Sequence, residues 1–283
     1  MGKILKVAWV EYISFLTSKR VLFMLFAFVF LAEDVVGKMG SIAGEYGYKI
    51  GRLEPVILIF SYQIHAMIIP IMFVVMLSNF PSNEKSGYFT MCRINRLSWL
   101  FGEVIYAGLV GLTFILFLLV GTAVWIWKDS AFTTEWSPYM SKLYMKFPEV
   151  YEWNDRLFIK TETLAQGSPV EVMLHSTALM MLYLLVLALL LALFKMLSLK
   201  KIGVFIAVSI TIIGVALDNF NSVVKWIFPI VQGIYESHFI AYLARTEFPL
   251  VYSYVYFGVL LIVLGLINIK LVKGYIITEE SGG

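Results

Sequence analysis

Cysteine, histidine and charge are all scarce in this sequence. Of 283 residues one is Cys and three are His, and charged residues make up 14%, against about 25% in soluble domains. The single thiol, Cys92, rules out an internal disulfide, and no C-x-x-C or Cys/His spacing marks a zinc site. Also absent are G-x-x-x-x-G-K-[ST], which cradles nucleotide phosphates, H-E-x-x-H, and the G-x-S-x-G of serine hydrolases. A formal net charge of +3 offers no basic footprint for nucleic acid. With 8 Pro and 20 Gly in no repeating pattern, collagen is excluded.

What is present is apolar surface. Hydrophobic residues reach 60% and mean hydropathy is +0.84, which marks an integral membrane protein and excludes disorder and a soluble enzyme core. The 7 Trp and 16 Tyr suit the boundary between lipid and water. A helix rises about 1.5 Å per residue, so about 20 mostly apolar residues cross a hydrocarbon core. Six stretches qualify: Val21 to Val36, Pro55 to Asn79, Trp99 to Trp127, Val172 to Phe194, Ile202 to Leu217 and Leu250 to Ile269. The expected fold is therefore all-α, with six transmembrane helices in one domain over residues 21 to 283.

Orientation is read from lysine and arginine in the short loops. Segments 1 to 20, 80 to 98, 195 to 201 and 270 to 283 hold 12 Lys and Arg in 60 residues, and the alternate segments hold 10 in 94. Both termini are expected in the cytoplasm, in a multi-pass protein of the bacterial cell membrane. Residues 1 to 20 resemble the start of a signal peptide, but Trp9, Tyr12 and Phe15 make them too aromatic for one, and no cleavage is expected. Leu5, Ala8, Trp9, Tyr12 and Leu16 recur at helical spacing, which predicts an amphipathic interfacial helix over 1 to 20. Val7 and Val10 fall off that stripe.

Three segments outside the spans carry information. The loop 81 to 98 mixes Lys85, Arg93 and Arg96 with Tyr88, Phe89 and Met91. It reads either as a short helix docking on a soluble partner through apolar anchors, or as a solvated turn that sets topology. Segment 128 to 171, broken by Pro138, Pro148 and Pro169, predicts an extracellular helical insertion between spans three and four. It is either a lid over the outer mouth or a folded insertion held by its aromatics. Segment 218 to 249 predicts an outer-leaflet hairpin broken near Pro229 and Gly233.

Inside the spans, Ser61, Tyr62, Gln63 and His65 form a polar run. On a straight helix from Pro55, His65 lies about 15 Å along, near mid-depth. Gln63 and His65 are candidate pathway residues, and the plainer alternative for His65 is a neutral ring hydrogen-bonded to a neighbouring helix. Pro70 is expected to bend this helix. Glu33 and Asp34 sit where they reach the headgroups.

Six spans, an amphipathic first helix, the loop run Glu84-Lys85-Ser86-Gly87 followed by Arg96, and a long third span together resemble the permease subunit of an ABC transporter of the type 2 exporter branch. In that family a Glu-x-x-Gly stretch forms the coupling helix against the ATPase, and Pro-x-x-Arg usually follows. Here Arg93 stands at the proline position and Glu103 near a common lysine. The resemblance implies that Glu84, Gly87, Tyr88, Phe89 and Arg96 couple to a separate ABC ATPase, which carries ATP and Mg. No cofactor and no catalytic or metal site is then expected in this chain, which is not itself an enzyme. It also implies a second permease chain, as a homodimer, and a hydrophobic or amphipathic substrate such as a membrane-active peptide. The alternatives are an ion-coupled secondary transporter and a stand-alone membrane immunity protein.

Overall fold

A computed structural model describes residues 2–78, 80–81, 94–220, 223–239 and 246–275. Within them the chain is almost wholly helical, because a long apolar run satisfies its own backbone only by coiling. Helix α1 is Gly2–Leu16 and α2 is Val21–Leu31; a π-helical turn, Ala32–Gly37, leads directly into α3, Lys38–Glu45. Then come α4 (Glu54–Ser61), α5 (Gln63–Met76) and α6 (Arg96–Trp125). Next are α7 (Pro138–Lys146), α8 (Pro148–Asn154) and the four-residue α9 (Thr161–Leu164). The chain ends with α10 (Pro169–Met196), α11 (Lys200–Asn219), α12 (Pro229–Gly233) and α13 (Leu250–Val272). The only described sheet pairs β1 (Ile50–Gly51) in parallel with β2 (Ser130–Ala131).

Four helices, α6, α10, α11 and α13, are long and apolar enough to cross a membrane, and α4 with α5 makes a fifth if that bent pair counts as one span. The stretch read as a single helix from Pro55 to Asn79 is broken: α4 and α5 meet at 83°. Pro70 lies inside α5 without ending it; the turn falls earlier, at Tyr62, whose ψ of 122° is extended. Tyr62 closes one helix and opens the next, its N–H bonding the Leu58 carbonyl and its carbonyl the Ala66 N–H, both at 2.8 Å.

The most buried of the four long helices is α10, which packs against α13, α6, α11 and α4. A capping box starts it: the Ser168 hydroxyl accepts from the Glu171 N–H, and the Glu171 carboxylate accepts from the Ser168 N–H. Polar bonds then fix its neighbours, with the Tyr183 hydroxyl 2.6 Å from that of Thr211 on α11, and Asn268 of α13 donating to the Leu189 carbonyl. Gly214 of α11 admits α12, since a Cβ there would come within 2.3 Å of Ile230.

The first helix, α1, runs alongside α6. Ile4 and Val7 press on Gly102, where a Cβ would meet Val7 at 2.7 Å, and farther along the Tyr12 hydroxyl meets Thr113 at 2.6 Å. Both sets of numbers rise together, so the helices run the same way. Val7, Ala8 and Phe15 are buried, while Leu5, Trp9 and Leu16 of the expected stripe are exposed. The stripe followed hydrophobicity, but packing selects the edge that fits beside a glycine.

Residues 128 to 171 form a cluster of short helices, and the three prolines that were read as breaks each begin one: α7, α8 and α10 have Pro at their first turn. The cluster is pinned by a fully buried carboxylate. Glu54 accepts from the N–H of Gly51 (2.8 Å), and from the N–H (2.6 Å) and hydroxyl (2.7 Å) of Ser137. Trp136 adds a bond to the Gly167 carbonyl. Changing Glu54 to Gln puts an amide N–H₂ among donors and leaves buried groups unmatched. A loss of about 1 to 3 kcal/mol is expected, read as faster proteolysis within 130 to 165 and a lower melting temperature. Unchanged proteolysis would show that the cluster is held by apolar contacts alone.

Candidate functional site

The break at Tyr62 brings buried charged groups from several elements together. On its α5 side, Gln63 Nε2 donates to Asp218 Oδ2 at 2.6 Å. The same oxygen accepts from the Ser237 hydroxyl at 2.7 Å, and Lys225 lies 3.5 Å from Asp218 Oδ1 and 3.2 Å from Glu247. This buried group ties the end of α11 to the hairpin, which consists of the 3₁₀ turn Val223–Ile227, α12 and a second 3₁₀ turn, Tyr235–His238. Two residues along α5, His65 Nε2 sits 3.0 Å from Asp34 Oδ2, in the π-helical turn after α2. Lys38 pairs with Asp34 from the next turn, and Arg156 of the inserted cluster approaches to 3.9 Å. Asp34 therefore answers a histidine and two cations within the fold. Its position in a wide π turn aims it inward, which linear spacing does not reveal.

Between the break, the cluster and the hairpin lies a cavity of about 320 Å³. Ser61, Tyr62 and Gln63 form one wall, Tyr151, Asp155, Phe158 and Lys160 another, and Glu236 and Asn219 close it. Lys160 pairs with Glu236 at 2.8 Å. Burial alone would pull the Lys160 ammonium down, but the carboxylates of Glu236, Asp218 and Glu162 outweigh it and hold its pKa above the usual lysine value. The phenol of Tyr151 is raised by burial first and then by Asp155, Glu162 and Glu236, with Lys160 opposing. The surroundings of this cavity are thus net acidic.

A Ser–His contact elsewhere resembles an activated nucleophile. His238 Nε2 lies 2.7 Å from the Ser253 hydroxyl, which donates to Gln232, and His238 Nδ1 lies 3.0 Å from the Ile234 carbonyl. Both side chains are 0% exposed, so no substrate approaches the hydroxyl, and the contact braces the hairpin against α13. Burial pushes the imidazole pKa down to about 4, and it stays neutral. Among the described residues no cluster of His, Cys, Asp and Glu could hold a metal ion.

Of the residues singled out by sequence, Gln63 and His65 come to the break, on two adjacent polar groups rather than on one lining. Arg96 is at the opposite end of α5's neighbour α6, where its guanidinium donates to the Lys273 carbonyl at the end of α13, and Trp99 stacks on Tyr275 with ring centres 6.2 Å apart. Lys195, buried at the end of α10, donates to the Pro81 carbonyl. Glu84, Gly87, Tyr88 and Phe89 lie outside the described residues. Sequence reasoning missed Asp218, Lys225, Lys160 and Glu236 as parts of a site; their only signal was charge next to long apolar runs. No protein-family model, no curated protein and no solved structure matches the chain.

Replacing Asp218 with Ala removes the acceptor shared by Gln63 and Ser237 and unbalances a buried ion pair. We expect a loss of about 3 kcal/mol, seen as a lower melting temperature together with faster amide exchange across 223 to 239. Equal exchange in the variant would show that the hairpin does not depend on this group.

Proposed function

We propose that the chain is the membrane-spanning subunit of an ATP-driven exporter that works with a separate cytoplasmic ATPase and a second copy of itself. The observation that carries this reading is the bracing of the 81 to 98 segment at both ends. Lys195 holds Pro81 to α10, while Arg96 and Trp99 hold the start of α6 to the end of α13. A push on the segment therefore reaches α10, the most buried of the long helices, and α13 with little slack, as rigid packing transmits displacement. A turn that only set topology would need no such bracing.

In this reading the unbroken helical path from Val21 to Glu45, through the π turn, supplies a sixth span. Both termini then face the cytoplasm of a bacterial cell and the inserted cluster faces outward, in keeping with the Lys and Arg count. ATP and Mg bind the partner, because the chain has no phosphate cradle. The exposed apolar faces of the long helices suit a hydrophobic or amphipathic cargo that travels between two such chains. ATP-driven closure below would rock the spans and open the pathway above.

Tyr88 and Phe89 are the anchors of the docking segment, with Glu84 facing a basic group on the ATPase and Gly87 permitting close approach. Substituting both aromatics with Ala is expected to weaken docking about 30-fold to 1,000-fold, with ATP turnover falling in the same preparation while the chain still inserts. Co-purification and turnover that both survive the change would remove the coupling role.

One observation favours a second reading, an ion-coupled secondary transporter. A discontinuous helix whose break is lined by Asp218 and, two residues on, by the Asp34–His65 contact is a feature of such carriers. Vesicles holding the chain without an ATPase and without ATP separate the two. The exporter reading expects no uptake or efflux when a proton or sodium gradient is imposed, and gradient-driven flux abolished by Asp34→Asn would establish the carrier.

A further inference from the structure

We propose that the cavity at the Tyr62 break binds an organic cation, a protonated amine carried on a compact apolar body. Two features of its lining select that chemistry. The charged residues are Asp155 and Glu236 against Lys160, a surplus of one negative charge. Lys160 already neutralises Glu236 at 2.8 Å. Asp155 accepts the Arg156 N–H at Oδ1 (2.7 Å) and keeps acceptor capacity for an incoming ammonium.

The second feature is aromatic. Tyr62, Tyr151 and Phe158 contribute rings to the same cavity, with Tyr151 and Phe158 centred 5.7 Å apart. Ring faces attract a cation and accommodate the apolar body that carries it. An anion meets the carboxylate surplus, and a neutral apolar molecule leaves that surplus without a counter-charge. The raised Lys160 and Tyr151 groups described above agree with a cavity short of positive charge. At about 320 Å³ the space admits a side-chain-sized group rather than a folded peptide.

Such an amine arrives either as a free small molecule or as the lysine side chain of a peptide. The inference rests on the transport reading only in treating the ligand as cargo; the binding itself needs neither ATPase nor gradient. It is therefore tested on the full chain alone, in nanodiscs of phosphatidylcholine, where failure leaves the coupling experiment untouched. The probes are phenethylammonium, its neutral counterpart 2-phenylethanol, and phenylacetate, titrated by calorimetry.

Saturable binding of the amine is expected, about tenfold or more tighter than the alcohol, with phenylacetate weakest. Asp155→Asn and Glu236→Gln should each weaken the amine about tenfold and leave the alcohol unchanged. Asp155→Asn disturbs only one local bond, so it keeps the test valid if Glu236→Gln fails to fold. A short lysine-containing amphipathic peptide and its Nε-acetylated form then distinguish the sources. Tighter binding of the unmodified peptide than of phenethylammonium identifies a peptide side chain, and the reverse order identifies a free amine. No saturable amine binding, equal affinity for all three probes, or an amine affinity untouched by Asp155→Asn would each overturn the proposal.

Discussion

Polar side chains carried into an apolar bundle must find partners there, and much of this fold is organised around that requirement. At Tyr62 the backbone loses the regular ladder for one residue and turns by 83°. In an apolar setting each unmet polar group costs far more than in water. The chain supplies Asp218 for Gln63 and Asp34 for His65, and lines the remaining space with the inserted cluster and the hairpin. Elements distant in sequence are drawn to one place because the polar groups there need each other.

The inserted cluster shows how a single buried charge is tolerated. Glu54 accepts three hydrogen bonds from Gly51 and Ser137, nearly the full capacity of its two oxygens on this side, which offsets the loss of water. It simultaneously begins α4 and caps the approach to α7, so the break and the cluster are mechanically joined. The same logic governs Lys225, shared between Asp218 and Glu247, which links α11 to the hairpin. These groups specify arrangement more than they add stability, since buried pairs roughly balance their own desolvation.

At the other end of the bundle the constraint is different. Side chains from α10 and α6 grip backbone carbonyls of Pro81 and Lys273, so the chain on either side of the 81 to 98 segment is tied to long helices. Carbonyls at helix and segment ends have no partner of their own, and a buried lysine or an arginine satisfies them directly. The fold thus has a polar, irregular end built from carboxylates and an end braced by cations, joined by α6 and α10.

Composition and periodicity by themselves determined that this is a helical membrane protein, and they located α6, α10, α11 and α13 to within a few residues, because twenty apolar residues in a row admit few alternatives. They also marked the polar run from Ser61 to His65 as unusual and placed breaks near Pro229 and Gly233, which bound the short helix α12. Three things were decided only by tertiary structure. The bend fell at Tyr62 and not at Pro70, since nothing in Ser-Tyr-Gln forbids a continuous helix and the break is repaid by distant partners. The first helix aligned with α6 because Gly102 opens room beside Val7, a fit invisible in a hydrophobic stripe. The cavity assembled residues from α4, α8, α11 and both flanking segments, and no local pattern records which charges will meet when the partners come from separate elements.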